Sequence, residues 1–68
     1  MLMIEFARRQ RDLTQIDLAS KTKIAPWFIS MVENSRAEPN DDQKRRLARA
    51  LGIPVAQLLE PAPELRSA

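Results

Sequence analysis

The stretch from Gln15 to Asn34, QIDLASKTKIAPWFISMVEN, limits the possible folds more than any other part of this chain. It reads as two short helical runs separated by one tight break, so the two helices must pack against each other across a turn. Leu18 and Ala19 can face inward on one turn of the first run, and Ile24 follows as a buried residue of the break. Ile29 and Val32 recur at i, i+3 on the second run and therefore share a face. Gln15, Trp27, Ser30 and Met31 are left over at the outer positions.

The flanking residues define where helices start and stop. Thr14 is a good N-cap for the first run, and Asp17, three residues on, forms an acidic variant of the capping box. Pro26 suits the first turn of the second run, and Asn34 can end that run in the left-handed conformation. Upstream, Met1 to Gln10 reads as a helix with Ile4 and Ala7 on its inner face and Leu2 and Phe6 as a second apolar pair. Phe6 has two readings: cover for the C-terminal segment of its own chain, or a contact with a second subunit.

Downstream, Asn40 and Gln43 form another capping box, with Asp41 and Asp42 in the favourable first turn. Leu47, Ala48 and Leu51 make the buried stripe of that helix, and Gly52 ends it. Ile53 to Leu59 reads as a short fifth helix opening at Pro54 or Val55. From Pro61 the sequence PAPELRSA has two prolines and no periodicity. The expected architecture is all-α, a five-helix domain over residues 1–60 followed by a flexible C-terminal tail over 61–68.

Composition narrows the function. A chain of 68 residues forms one small core. With no Cys and no His it lacks disulfides, thiolate metal sites and the commonest catalytic base. One glycine in total leaves no phosphate-cradling loop, so an enzyme is a poor reading and no cofactor or metal is expected. The net charge is only +2, but Arg8, Arg9 and Arg11 cluster early and Lys44, Arg45, Arg46 and Arg49 cluster late. No apolar run approaches the roughly 20 residues that span a bilayer, and MLMIEF does not read as a signal peptide. A cytoplasmic protein with no membrane partner is expected.

The run L-T-Q-x-x-L-A from Leu13, then Ile24, then I-S-x-V-E-N from Ile29, leads on to P-x-x-x-x-x-x-x-L-A-R-A-L-G-I from Pro39. In order and spacing these residues resemble the phage repressor and Cro-like helix-turn-helix family, often called the XRE family, from about Ile4 to Leu59. The resemblance implies a lambda-repressor-like fold whose third helix, Pro26 to Glu33, lies in the major groove of double-stranded DNA. It makes Pro26, Trp27, Ser30 and Met31 the base-facing set. It brings Gln15, Asn34, Arg36 and Arg8 to the phosphate backbone, with Arg8 also paired to Glu33. It further implies a homodimer whose two-fold contact involves Ile53, Val55, Leu58 and Leu59, although these four residues can equally complete the monomer core.

The chain departs from the family pattern at several points. Lys23 and Ser35 stand where glycine is usual, the former at a position that commonly needs positive φ. Ala25 replaces the usual Ser or Thr N-cap, and Glu38 opposes the phosphate attraction of Arg36. The late cationic stripe reads mainly as a solvated face. The base-facing set contains no Arg, Lys, Gln or Asn, the usual readers of base edges. Three readings of its apolar surface stay open: methyl contact plus DNA shape, a protein interface, or a Trp27 folded back into the core. The functions implied are a transcriptional regulator, a repressor on a near-palindromic operator, or a protein-interaction module of the antitoxin type on the same fold.

Overall fold

The computed structural model describes residues 1–63 and contains four α-helices: α1 (Met3–Gln10), α2 (Gln15–Thr22), α3 (Pro26–Glu33) and α4 (Asp41–Leu51). A single 3-10 turn follows at Val55–Gln57. The expected fifth helix is thus one turn long. Pro54 caps it without a side-chain hydrogen bond, and three residues cannot propagate a helix whose nucleation is itself unfavourable. No strand forms among the described residues, which are otherwise turns and loops.

Both capping boxes form as their sequences imply. Thr14 accepts from the Asp17 N–H at 2.9 Å, and Asp17 accepts from the Thr14 N–H at 2.9 Å. Asn40 and Gln43 repeat the exchange at 2.7 and 2.9 Å. These side chains satisfy backbone donors that would otherwise be orphaned at the starts of α2 and α4. α3 has no such cap: Ala25 offers no side-chain acceptor, and Pro26 sits in the first turn in its place.

The end of α3 corrects one expectation. Asn34 keeps φ at −95°, and the left-handed residue is the next one, Ser35, at φ 60°. The Arg36 N–H then reaches back to the Met31 carbonyl and the Ser35 N–H to that of Val32, which closes the end of α3 as a Schellman motif. Asp12 does the same after α1 at φ 56°, with Leu13 bonding back to Arg8 and Asp12 to Arg9. Lys23 and Gly52 take left-handed φ of 61° and 70° where α2 and α4 end.

The first helix begins at Met3 rather than Met1, because the N-terminal residues are extended and pair with the end of the domain. Leu2 bridges antiparallel to Pro61, the Met3 N–H donates to Glu60, and the Ala62 N–H donates to Met1. The first residues of the expected tail are therefore held by backbone hydrogen bonds, and residues 64–68 lie outside the described residues.

The core follows from the helical periodicities. Ile4, Leu18, Ile29, Val32, Leu47, Leu51 and Leu58 are almost completely buried, with Ala7, Ala19, Ile24 and Ala48 between them. Burying each large aliphatic side chain is worth about 1.5–3 kcal/mol. α2 packs against both α3 and α4, and α1 and the 3-10 turn close the other sides of α4. Leu58 is inside this core, so it has no surface left for the two-fold contact expected of it. Ile53 and Leu59 pack partly against the core, and Val55 alone of that group is exposed.

Candidate nucleic-acid interface

α3 is held by one side and open on the other. Ile29 and Val32 anchor it at 0% and 1% exposure, and Phe28 packs on the flank. The opposite side carries Trp27 at 66% exposure and Met31 at 36%, with Pro26 exposed and Ser30 partly buried. Trp27 is therefore not folded into the core. Its ring meets Phe28 edge-on, with centroids 5.8 Å apart and an interplanar angle of 89°, which limits the indole's freedom without covering it. The base-facing set expected from sequence shares α3, and it forms an apolar ridge with one hydroxyl.

Behind this ridge a polar knot sets the angle of α3. The Arg8 Nε donates to Glu33 Oε2 at 2.7 Å and its Nη2 donates to Oε1 at 3.1 Å. The remaining Arg8 nitrogen, Nη1, donates to the Leu13 carbonyl at 2.7 Å. Gln15 joins the same carboxylate, with Nε2 donating to Oε1 at 3.0 Å. Glu33 thus ties the end of α3 to α1 and to the first residue of α2. The hydrogen bond to Glu33 raises the Arg8 pKa above its ordinary value, against the opposing effect of burial.

The residues expected at phosphates have different surroundings. Arg8 is buried, with all three guanidinium nitrogens donating inside the chain. Gln15 is partly buried, and its amide nitrogen is committed to Glu33. Asn34 and Arg36 are exposed beyond the end of α3, and the Asn34 amide donates to the Ser30 carbonyl at 2.8 Å. Glu38, the expected opponent of Arg36, instead pairs with Lys44 at 3.4 Å.

The sequence reading passed over one exposed residue. Ile16, directly after Gln15, is 69% exposed. Its signal was available, since it falls off the face shared by Leu18, Ala19 and Thr22. Asp17, also exposed, has a lowered pKa because the Thr14 backbone and hydroxyl hydrogen bond to its carboxylate, with help from Lys21. Among the described residues no group of three His, Cys, Asp or Glu side chains is placed to hold a metal ion, and no helix is long and apolar enough to cross a membrane.

Comparison with known proteins places this arrangement. A family profile described as helix-turn-helix matches residues 4–58. Multiprotein-bridging factor 1 of Debaryomyces hansenii is 44% identical over 50 residues, covering 74% of this chain and 33% of that protein. The immunity repressor protein of Bacillus phage phi105 is 32% identical over 56 residues, covering 82% of this chain and 39% of the repressor. Human endothelial differentiation-related factor 1 is 37% identical over 51 residues, 75% of this chain and 34% of its own length. The chain thus spans about a third of the length of the relatives it matches. With a helix-turn-helix profile matching most of its length and a phage repressor among its relatives, the chain belongs to the phage-repressor-like, or XRE, helix-turn-helix family.

Proposed function

We propose that this domain binds double-stranded DNA in a sequence-specific manner as part of a transcriptional regulator, with α3 in the major groove. The observation that carries this reading is the outward ridge of Pro26, Trp27, Ser30 and Met31 on a helix fixed from behind by Ile29, Val32 and Glu33. In the docked complex Trp27 and Met31 meet thymine methyl groups, and Ser30 makes one hydrogen bond. With so few polar readers, much of the discrimination comes from groove shape and deformability. Arg36 is free-standing enough to reach a phosphate, and Asn34 beside it does so by releasing its amide from the Ser30 carbonyl. Arg8 and Gln15 act chiefly by holding α1 and α2 against the end of α3, and the first-turn N–H groups of α2 supply the contact near Gln15.

The same reading includes a homodimeric repressor, in keeping with the name of the phage phi105 relative. Val55 and the outer edges of Ile53 and Leu59 form the two-fold contact. Half-sites then lie about one helical turn, roughly 34 Å, apart. Selection of bound duplexes from a random pool tests it: a two-fold symmetric site supports the homodimer, and recovery of no consensus refutes sequence-specific binding.

A second reading is a protein-interaction module. α3 carries no cation, which weakens its attraction to phosphates, and two exposed apolar side chains suit a protein contact. The name multiprotein-bridging factor in a relative agrees with that use of the fold. Salt separates the two. Binding through several phosphates weakens steeply as salt rises, and an apolar protein contact does not.

A further inference from the structure

Five of the chain's eleven cations gather between the end of α2 and α4. Lys21, Thr22 and Lys23 at the end of α2 and Asp42, Arg45, Arg46, Arg49 and Ala50 of α4 line one cleft of about 640 Å³. Five cations therefore face one carboxylate, whereas over the rest of the chain the remaining six basic residues are outnumbered by eight acidic ones. The modest net charge conceals a strongly basic recess. The sequence alone suggested only a solvated stripe on α4, because nothing in it brings Lys21 and Lys23 alongside.

We infer that this cleft docks an acidic polypeptide segment of a partner protein. The chain's own Asp42 shows how a carboxylate sits there: its Oδ2 lies 2.9 Å from Arg46 Nη2 and its Oδ1 lies 3.7 Å from Arg45 Nη2. Arg46 is further steadied by donating to the Thr22 carbonyl at 3.4 Å. Among the described residues no carboxylate lies within 4.0 Å of a Lys21, Lys23 or Arg49 charge, so Lys23 and Arg49 stand ready for carboxylates from outside, with Lys21 beside them and shared only at longer range with Asp17. Guanidinium groups bind carboxylates in a fork geometry, and Ala50 with the arginine stems supplies apolar floor between them.

A peptide fits this recess better than a duplex does. The cleft is concave and sits at the far end of α2 from Gln15, about 10 Å along the helix axis. α2 packs on both α3 and α4. The cleft lies where the C-terminal end of α2 meets α4, with Lys23 in the turn that leads on to Pro26, whereas Trp27 and Met31 stand on α3 itself. A stiff duplex seated on α3 does not turn into such a recess, whereas an extended acidic segment does. The domain then holds two ligands at once.

Fluorescence anisotropy of a short labelled peptide of Asp, Glu and Leu, titrated with the intact chain at low salt, tests the inference. Saturable binding is expected, weakened about tenfold or more in the Lys21→Glu/Arg49→Glu variant. Asp42→Ser removes the competing internal carboxylate and is expected to tighten binding several-fold, an outcome that loss of folding cannot imitate. Circular dichroism checks that both variants keep their helices. Absence of saturable binding, or binding indifferent to both substitutions, overturns the inference. So does displacement of the peptide by any duplex together with an equal loss of duplex affinity in the charge-reversal variant, which makes the cleft a phosphate-backbone contact instead.

Discussion

Arg8 and Glu33, twenty-five positions apart, form a two-point ion pair with side-chain exposures of 10% and 3%. The pair fixes α1 against the end of α3, and Gln15 adds α2 to the same carboxylate. Removing either partner leaves a buried charge without its counterpart. Arg8→Ala or Glu33→Ala is therefore expected to lower stability by about 3–5 kcal/mol, read from urea unfolding. Replacing both by apolar residues of similar volume is expected to recover most of that loss, since the intact pair gains little over its desolvation. A loss below about 1 kcal/mol for the single variants contradicts the buried pair.

Leu58 and Val55 separate core from surface within one turn. Leu58 is fully enclosed and Val55 is 43% exposed. Leu58→Ala is expected to cost about 2–5 kcal/mol at any protein concentration. Val55→Ala leaves the monomer within about 0.5 kcal/mol and weakens self-association instead. Sedimentation equilibrium checks the second part; an unchanged association constant removes Val55 from the dimer contact.

The left-handed residues give a paired test. Gly52 has φ +70°, and a Cβ there would stand 2.6 Å from the Arg11 guanidinium. Because that group is the end of a flexible side chain, strain at positive φ dominates, and Gly52→Ala is expected to cost about 1 kcal/mol or more. Lys23, at φ 61°, lies on the opposite side of the balance. Lys23→Gly is expected to raise stability by a few tenths to about 1 kcal/mol. Thermal unfolding of the two variants should shift in opposite directions.

Asp17 links the start of α2 to pH. Its folded pKa is lowered by the Thr14 hydrogen bonds, so it stabilises the fold above the unfolded aspartate value of about 3.9. That contribution fades as pH falls through the lowered folded value. The stability difference between the natural chain and Asp17→Asn is expected to be constant near neutrality and to shrink below about pH 4. A difference that persists unchanged at the acid end contradicts the capping role of the carboxylate.

The fold was legible where periodicity and caps agree. Ile4, Ala7, Leu18, Ile29, Leu47 and Leu51 repeat at helical spacing, and all are buried. Thr14 with Asp17 and Asn40 with Gln43 marked two helix starts to the residue. The fifth helix was not legible, because Ile53, Val55, Leu58 and Leu59 fit a helix, an extended segment or a turn equally well in so short a span. Asn34 misled for a related reason: its amide favours helix ends, yet the Schellman closure puts the left-handed residue one place later, at Ser35. At the candidate site, the i, i+3 spacing of Ile29 and Val32 leaves Trp27, Ser30 and Met31 outward, and the family resemblance adds Pro26. The commitment of Gln15 to Glu33 depends on a contact across eighteen positions, which local pattern does not encode.

Trp27 is the single tryptophan of the chain and stands on the exposed side of α3, so its fluorescence reports on that side alone. The most direct measurement is its emission and its quenching by acrylamide during titration with a selected duplex at low salt. Entry of α3 into the major groove shields the indole: quenching falls and the emission shifts as the duplex saturates, and both return when salt is raised. A duplex that binds, by anisotropy of a labelled strand, while Trp27 stays fully open to acrylamide contradicts the placement of α3 in the groove.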